Sequence, residues 1–239
     1  MYGALTDEQY LTSTARDAGV MTAVLTRHPL TTPVPSCPGW DLAELGGHLG
    51  VIHRWARDSL ASDSPPDEGQ PPSREELAGW YRDSADALLS ALRAARSDDP
   101  CWGFGPHPRT VRFWLRRQAH ETCIHAWDAA NAVGAPPAIA ADLAADGLDE
   151  VAGMFYPRQI RLGRREPLGV ALAFAATDVG RVSVLGEGEP VATVSGSAEQ
   201  LLLGLWRRRD LAALLADGDV RMDGDTAVAH AVLAEQLTP

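Results

Sequence analysis

The sequence predicts a helical bundle followed by a small α+β domain. Three observations carry this: four amphipathic stretches of helical period in residues 1–137, proline-rich breaks between them, and a change to short β-type runs in residues 138–239. With 239 residues, 45% apolar and 22% charged, the chain can bury cores of its own without disulfides or metals to staple it.

The first helix is predicted over residues 7–27, with Thr6 as N-cap and Gln9 three positions on at capping-box spacing. Pro29, Pro33, Pro35 and Pro38 forbid its continuation. The second starts after Asp41, with Glu44 completing a capping box, and runs to residue 60. A loop at residues 62–72 (SDSPPDEGQPP) separates it from a third, capped by Ser73 with Glu76 and ending near residue 96. The fourth spans residues 110–133. After the break at residues 135–137, a helix is expected over 139–156. Strands follow at 168–175, 181–185 and 191–194, and helices at 197–206 and 226–235.

Charge narrows the function. A net charge of -11 disfavours nucleic acid and anionic membrane surfaces as partners. No stretch is long and apolar enough to span a bilayer and no signal peptide opens the chain, so a cytosolic, cytoplasmic location is expected. Cys37, Cys101 and Cys123 form no C-x-x-C pair, which suits reduced thiols. All 21 basic residues are arginine, so lysine Schiff-base chemistry and a Walker A loop are excluded. Arginine-only usage also suggests a GC-rich host.

Glu121 and His125 lie four apart in the fourth helix and share one face, whereas His120 is turned about 100° away. A polar seam of Trp114, Gln118, Glu121, His125 and Asp128 needs partners if it faces an interior. His48, on a stripe with Leu45, Ile52 and Trp55, is the expected partner; His53, about 140° further round, is expected to face elsewhere. Two imidazoles and one carboxylate compose a catalytic zinc site with an open position, or equally the facial triad of non-haem iron. The seven tryptophans read as core packing. Arg207, Arg208 and Arg209 fit either a helix C-terminus or an anion site, and Cys37 is a possible nucleophile without an adjacent base in sequence.

Two segments resemble the signatures of the mycothiol-dependent maleylpyruvate isomerase family: Val34-Pro35-Ser36-Cys37-Pro38-Gly39-Trp40-Asp41-Leu42 through Gly47-His48-Leu49, and Phe113-Trp114-Leu115-Arg116-Arg117-Gln118-Ala119-His120-Glu121-Thr122 through His125-Ala126-Trp127-Asp128. Residues 196–209 and the Gly224-Asp225 turn resemble that family's second domain. The resemblance implies a DinB-like N-terminal bundle and a sterol-carrier-protein-like C-terminal domain. It further implies a divalent ion, zinc or another, on His48, Glu121 and His125, and mycothiol, the actinobacterial thiol, as cofactor.

It also implies the reaction. The thiolate of mycothiol would add to the cis double bond of a maleylpyruvate-like substrate, the bond would rotate, and elimination would return the trans isomer. The same thiolate could instead open an electrophile in S-transfer. One arginine of the second domain, among Arg207, Arg208, Arg209 and Arg221, would assist an anionic small-molecule substrate. The competing readings are a non-catalytic small-molecule-binding protein with a structural metal site, and a non-haem iron oxygenase on the same triad.

Overall fold

The computed structural model of the protein describes residues 5–235, Leu237 and Thr238. The chain divides after Pro137 into two compact units.

In the first unit, α1 (Asp7–Arg27), α2 (Leu42–Ser59), α3 (Leu77–Ala94) and α4 (Val111–Ala132) follow one another. The Thr6 hydroxyl accepts from the Gln9 amide while the Gln9 side chain accepts from the Thr6 amide, so both halves of the first capping box are made. Asp41 and Glu44 do the same for α2, and Arg74 donates to the remaining Asp41 oxygen at 2.8 Å. The third start differs from expectation. The Ser73 hydroxyl donates to the Glu76 carboxylate at 3.3 Å instead of capping a backbone amide, so residues 74–76 form a turn and α3 begins at Leu77.

Within the bundle α1 packs chiefly on α4, and α2 on α3. Met21, Leu25, Leu42, Leu45, Leu49 and Tyr81 meet in a core in which none is more than 3% exposed. Each fully buried side chain of this kind contributes about 1.5–3 kcal/mol relative to exposure. Gly50 lets two helices approach: a Cβ there would lie 2.2 Å from the Trp80 ring, on which the Arg54 guanidinium also stacks at 4.7 Å. Trp55, Trp102 and Trp114 pack edge to face or tilted with Phe104 and Phe113 nearby; Trp114 is fully buried, as expected of a core tryptophan, while Trp55 and Trp102 are half-buried.

The second unit opens with α5 (Ala141–Glu150), which runs through a π-helical turn, Val151–Phe155, into α6 (Tyr156–Arg161). The helical run therefore passes the expected end at residue 156 by five residues. Strands β1 (Ala171–Ala176), β2 (Arg181–Leu185), β3 (Pro190–Gly196) and β4 (Val220–Gly224) form one mixed sheet in the order β2-β1-β3-β4. β1 is antiparallel to β2 and parallel to β3, and β4 is antiparallel to β3. Leu172, Phe174, Ala192 and Val194 are buried on one face, near α7 (Ala198–Leu205). Sequence patterning foresaw neither β4 nor the short helix α8 (Leu211–Ala216); α9 (Thr226–Ala234) closes the unit.

The end of α7 bears on the arginine run. The Arg207 amide bonds the Gly204 carbonyl and the Arg208 amide bonds that of Leu203, the paired closure of a Schellman motif. The position that usually takes glycine there is Arg207, at φ 56°. A side chain in that left-handed region costs roughly 1–2 kcal/mol.

Candidate metal centre

Helical spacing places Glu121 and His125 one turn apart on α4, and α2 brings His48 to them. Glu121 Oε1 lies 3.5 Å from His48 Nε2 and 3.3 Å from His125 Nε2. All three donor atoms fall within 4.8 Å of one another. Bonds of about 2.0–2.2 Å at the tetrahedral angle put neighbouring donors about 3.3–3.6 Å apart, so the spacing around the carboxylate suits an ion the size of zinc. The side chains are 35%, 16% and 12% exposed for His48, Glu121 and His125, so the trio sits at the edge of the bundle interior, open on the His48 side.

Each donor is oriented from behind. Arg117, one turn before Glu121 and almost fully buried, donates to Glu121 Oε2 and leaves Oε1 toward the imidazoles. His125 Nδ1 lies 3.0 Å from Asp128 Oδ2, with its Nε2 on the Glu121 side. Trp40 packs on His48 with ring centres 5.1 Å apart. The electrostatics follow from these partners. Burial opposes ionisation of Glu121, but the Arg117 charge and the bonds to His125 and His48 hold its carboxyl well below the usual range. Burial likewise opposes a charge on His125, yet its bonds to Asp128, Cys37 and Glu121 raise it well above an ordinary imidazole. A proton on His125 is therefore favoured beside the ionised Glu121.

The other sequence candidates fall elsewhere. His53 was expected to face away; it lies instead in the bundle interior, 0% exposed, with Nε2 bonded to the Thr122 hydroxyl at 3.0 Å. Burial drives its imidazole down to about 3, against the attraction of Glu121. The reason is that His48 stands at the rim rather than at the centre of the buried stripe, so a rotation of about 140° carries His53 inward. His120 is buried edge-on to Tyr10, outside the donor group. Asp128, noted only as part of the seam, Arg117 and Cys37 all belong to the site's surroundings. For two of them the signal was spacing, Asp128 three after His125 and Arg117 four before Glu121, whereas Cys37 reaches Asp128 from a distant loop.

In the second unit, the Arg207 guanidinium donates to the Ala234 carbonyl and the Arg208 group donates to the Trp206 carbonyl at 2.9 Å. Arg207 and Arg209 line a cleft of about 360 Å³ with Leu205, Leu211 and Leu233. Arg221 is exposed on β4, paired in register with Ser195.

The class of protein is thus a four-helix bundle that brings two imidazoles and a carboxylate together, followed in the chain by a small mixed-sheet domain. The chain belongs to the mycothiol-dependent maleylpyruvate isomerase family: residues 12–130 match the mycothiol maleylpyruvate isomerase N-terminal domain and residues 142–231 match the C-terminal domain of the same family. Among solved structures, the crystal structure of the mycothiol-dependent maleylpyruvate isomerase shares the fold, with 16% identity, a TM-score of 0.59, and coverage of 83% of this chain and 88% of that one. A histidine-to-alanine mutant of that isomerase matches at 15% identity with the same TM-score and coverage. No curated protein matches the sequence. Among the described residues, no helix is long and apolar enough to cross a membrane.

Proposed function

We propose that the protein is a metal-dependent enzyme that uses mycothiol to attack an electrophilic small molecule, with His48, Glu121 and His125 holding the ion. The observation that carries this is Glu121 Oε1 at 3.5 and 3.3 Å from two imidazole Nε2 atoms, a spacing that suits a shared ion. A bound divalent ion, zinc in the simplest case, would keep a thiol ligand as its thiolate at neutral pH.

The chain's own residues prepare that chemistry. Arg117 keeps Glu121 ionised and fixes which oxygen it presents. Three protein donors leave a coordination position for the thiol, and the partly exposed His48 is the side from which it enters. Cis-trans isomerisation of a maleylpyruvate-like acid is the reaction this family membership favours, and S-transfer to another electrophile uses the same groups.

An anionic substrate approaching a thiolate needs a fixed positive charge, a role we give to one of Arg207, Arg208, Arg209 or Arg221. Replacing the responsible arginine by alanine should lower turnover by roughly a hundredfold and leave metal content unchanged. The test of function is incubation of zinc-loaded protein and mycothiol with cis-enoic acids, epoxides and halides, followed by mass spectrometry and chromatography. A trans isomer, or a thioether of mycothiol, formed faster than in the H125A control supports the reading. Metal-loaded protein that turns over no member of the panel above that control contradicts it.

A further inference from the structure

One loop touches both histidines of the site. Residues 34–40 are closed on themselves by three backbone bonds: Val34 N–H to the Trp40 carbonyl at 2.9 Å, Cys37 N–H to that of Val34 at 3.0 Å, and Trp40 N–H to that of Cys37 at 3.0 Å. Gly39 makes the turn with φ at 86°, and a bridge between Pro33 and Asp41 ties the base. From this frame Trp40 packs on His48, and the Cys37 thiol donates to Asp128 Oδ2 at 3.5 Å. That oxygen also accepts from His125 Nδ1 at 3.0 Å, and Asp128 is 0% exposed.

We infer that Asp128, pinned by Cys37, is the positioning residue for His125, keeping Nδ1 as the donor so that Nε2, once an ion takes the place of its proton, presents its lone pair on the side of Glu121 and His48. A neutral imidazole has one N–H and one lone pair, and which nitrogen binds an ion is decided by the bond the other makes. A buried carboxylate on Nδ1 commits that nitrogen to donating. The thiol is a weak donor, so it fixes the place of the carboxylate oxygen without drawing much of its charge from the ring. The inference rests on the reading of His48, Glu121 and His125 as an ion site. It competes with one alternative the geometry also offers, because the Cys37, Asp128 and His125 donors themselves lie within 4.8 Å of one another and could form a sulfur-containing site.

The test is zinc affinity by chelator competition together with the visible and near-ultraviolet spectrum of the cobalt-substituted protein, with no added thiol, for the wild type, D128N, C37S, C37A and H48A. D128N should weaken zinc about 10–100-fold and shift the cobalt d–d bands while helical circular dichroism stays unchanged. C37A should weaken it less, and C37S, which keeps a donor to Asp128, should restore near-wild-type affinity. No thiolate-to-cobalt charge-transfer band should appear. Such a band in the wild type, lost in C37S, would make Cys37 a ligand and overturn the inference. Wild-type affinity and spectrum in D128N, with zinc lost in H48A, would overturn the positioning role alone. Failure of the wild type itself to bind zinc or cobalt would overturn the ion site and this inference with it. Should D128N not fold, equal affinities in C37A and C37S would be the contradicting result.

Discussion

Two histidines five residues apart on α2 meet opposite fates. His48 stands at the rim of the bundle, 3.5 Å from an ionised carboxylate, with Trp40 against its ring. His53 lies in the interior, bonded to a hydroxyl, its Nδ1 without a partner among the described residues. Tyr81, 5.5 Å away between ring centres, has a buried hydroxyl in the same condition, and so do both polar atoms of Gln118. The contrast teaches that burial of an imidazole does not make a site. Burial, helped by the charges of His125 and His48, keeps His53 neutral against the pull of Glu121, whereas at the edge of the bundle paired groups turned toward one another keep Glu121 ionised and raise His125.

The largest effect expected from this difference is on metal affinity. H48A and H125A should each weaken zinc by more than about 100-fold, since loss of a ligand should exceed the loss of an outer partner. H53Q should change it little, although His53 is the more deeply buried of the two α2 histidines. Calorimetric titration of the three variants checks this, and zinc binding lost in H53Q but kept in H48A would reverse the assignment.

E121Q should release the ion and lower the stability of the bundle in urea denaturation, because it removes the ionised carboxylate toward which Arg117, His48 and His125 all turn. Unchanged zinc affinity in E121Q would remove Glu121 from the ligand set.

Much of this was legible in the sequence, and the misses have physical causes. The capping boxes of α1 and α2 were readable because Thr6 with Gln9 and Asp41 with Glu44 are local bonds. The start of α3 was not, since Ser73 bonds the Glu76 carboxylate rather than a backbone amide, a choice that spacing does not encode. β4 escaped notice because Val220 is the buried residue of a five-residue strand whose Arg221, Asp223 and Gly224 are exposed. At the site, four-residue spacing paired Glu121 with His125, but the angular argument mislaid His53. It took His48 as the centre of the buried face, and only the packing of α2 against α3 and α4 reveals that His48 is its border.

The neutral His53 makes a pH prediction. Its folded value of about 3 lies below the ordinary 6.5, so the unfolded chain takes the proton first as pH falls. The stability this neutral ring contributes is complete above about 6.5 and is lost progressively as pH drops toward 3, at up to about 1.4 kcal/mol per pH unit. Denaturation of wild type and H53Q between pH 7 and 4 should give curves that converge or cross on acidification, the wild type falling more steeply, to that order. Parallel curves would mean that His53 is protonated in the fold.

The smallest effect belongs to the second unit. R207G removes the left-handed side chain at the end of α7 and should stabilise by up to about 1 kcal/mol, less whatever the bond to the Ala234 carbonyl contributes. A stabilised variant with reduced turnover would mark Arg207 as the functional arginine, held in strain for its charge; unchanged turnover would remove it from the set.

The central claim is that His48, Glu121 and His125 hold an ion that receives the thiol. Addition of stoichiometric mycothiol to the cobalt-substituted protein, followed in the near-ultraviolet, tests it most directly. The account predicts a thiolate-to-cobalt charge-transfer band that is absent before the thiol is added, appears on addition, persists in H53Q, and is missing in H48A and H125A. Tightly bound cobalt that gives no band with mycothiol, or an undiminished band in H125A, would contradict it.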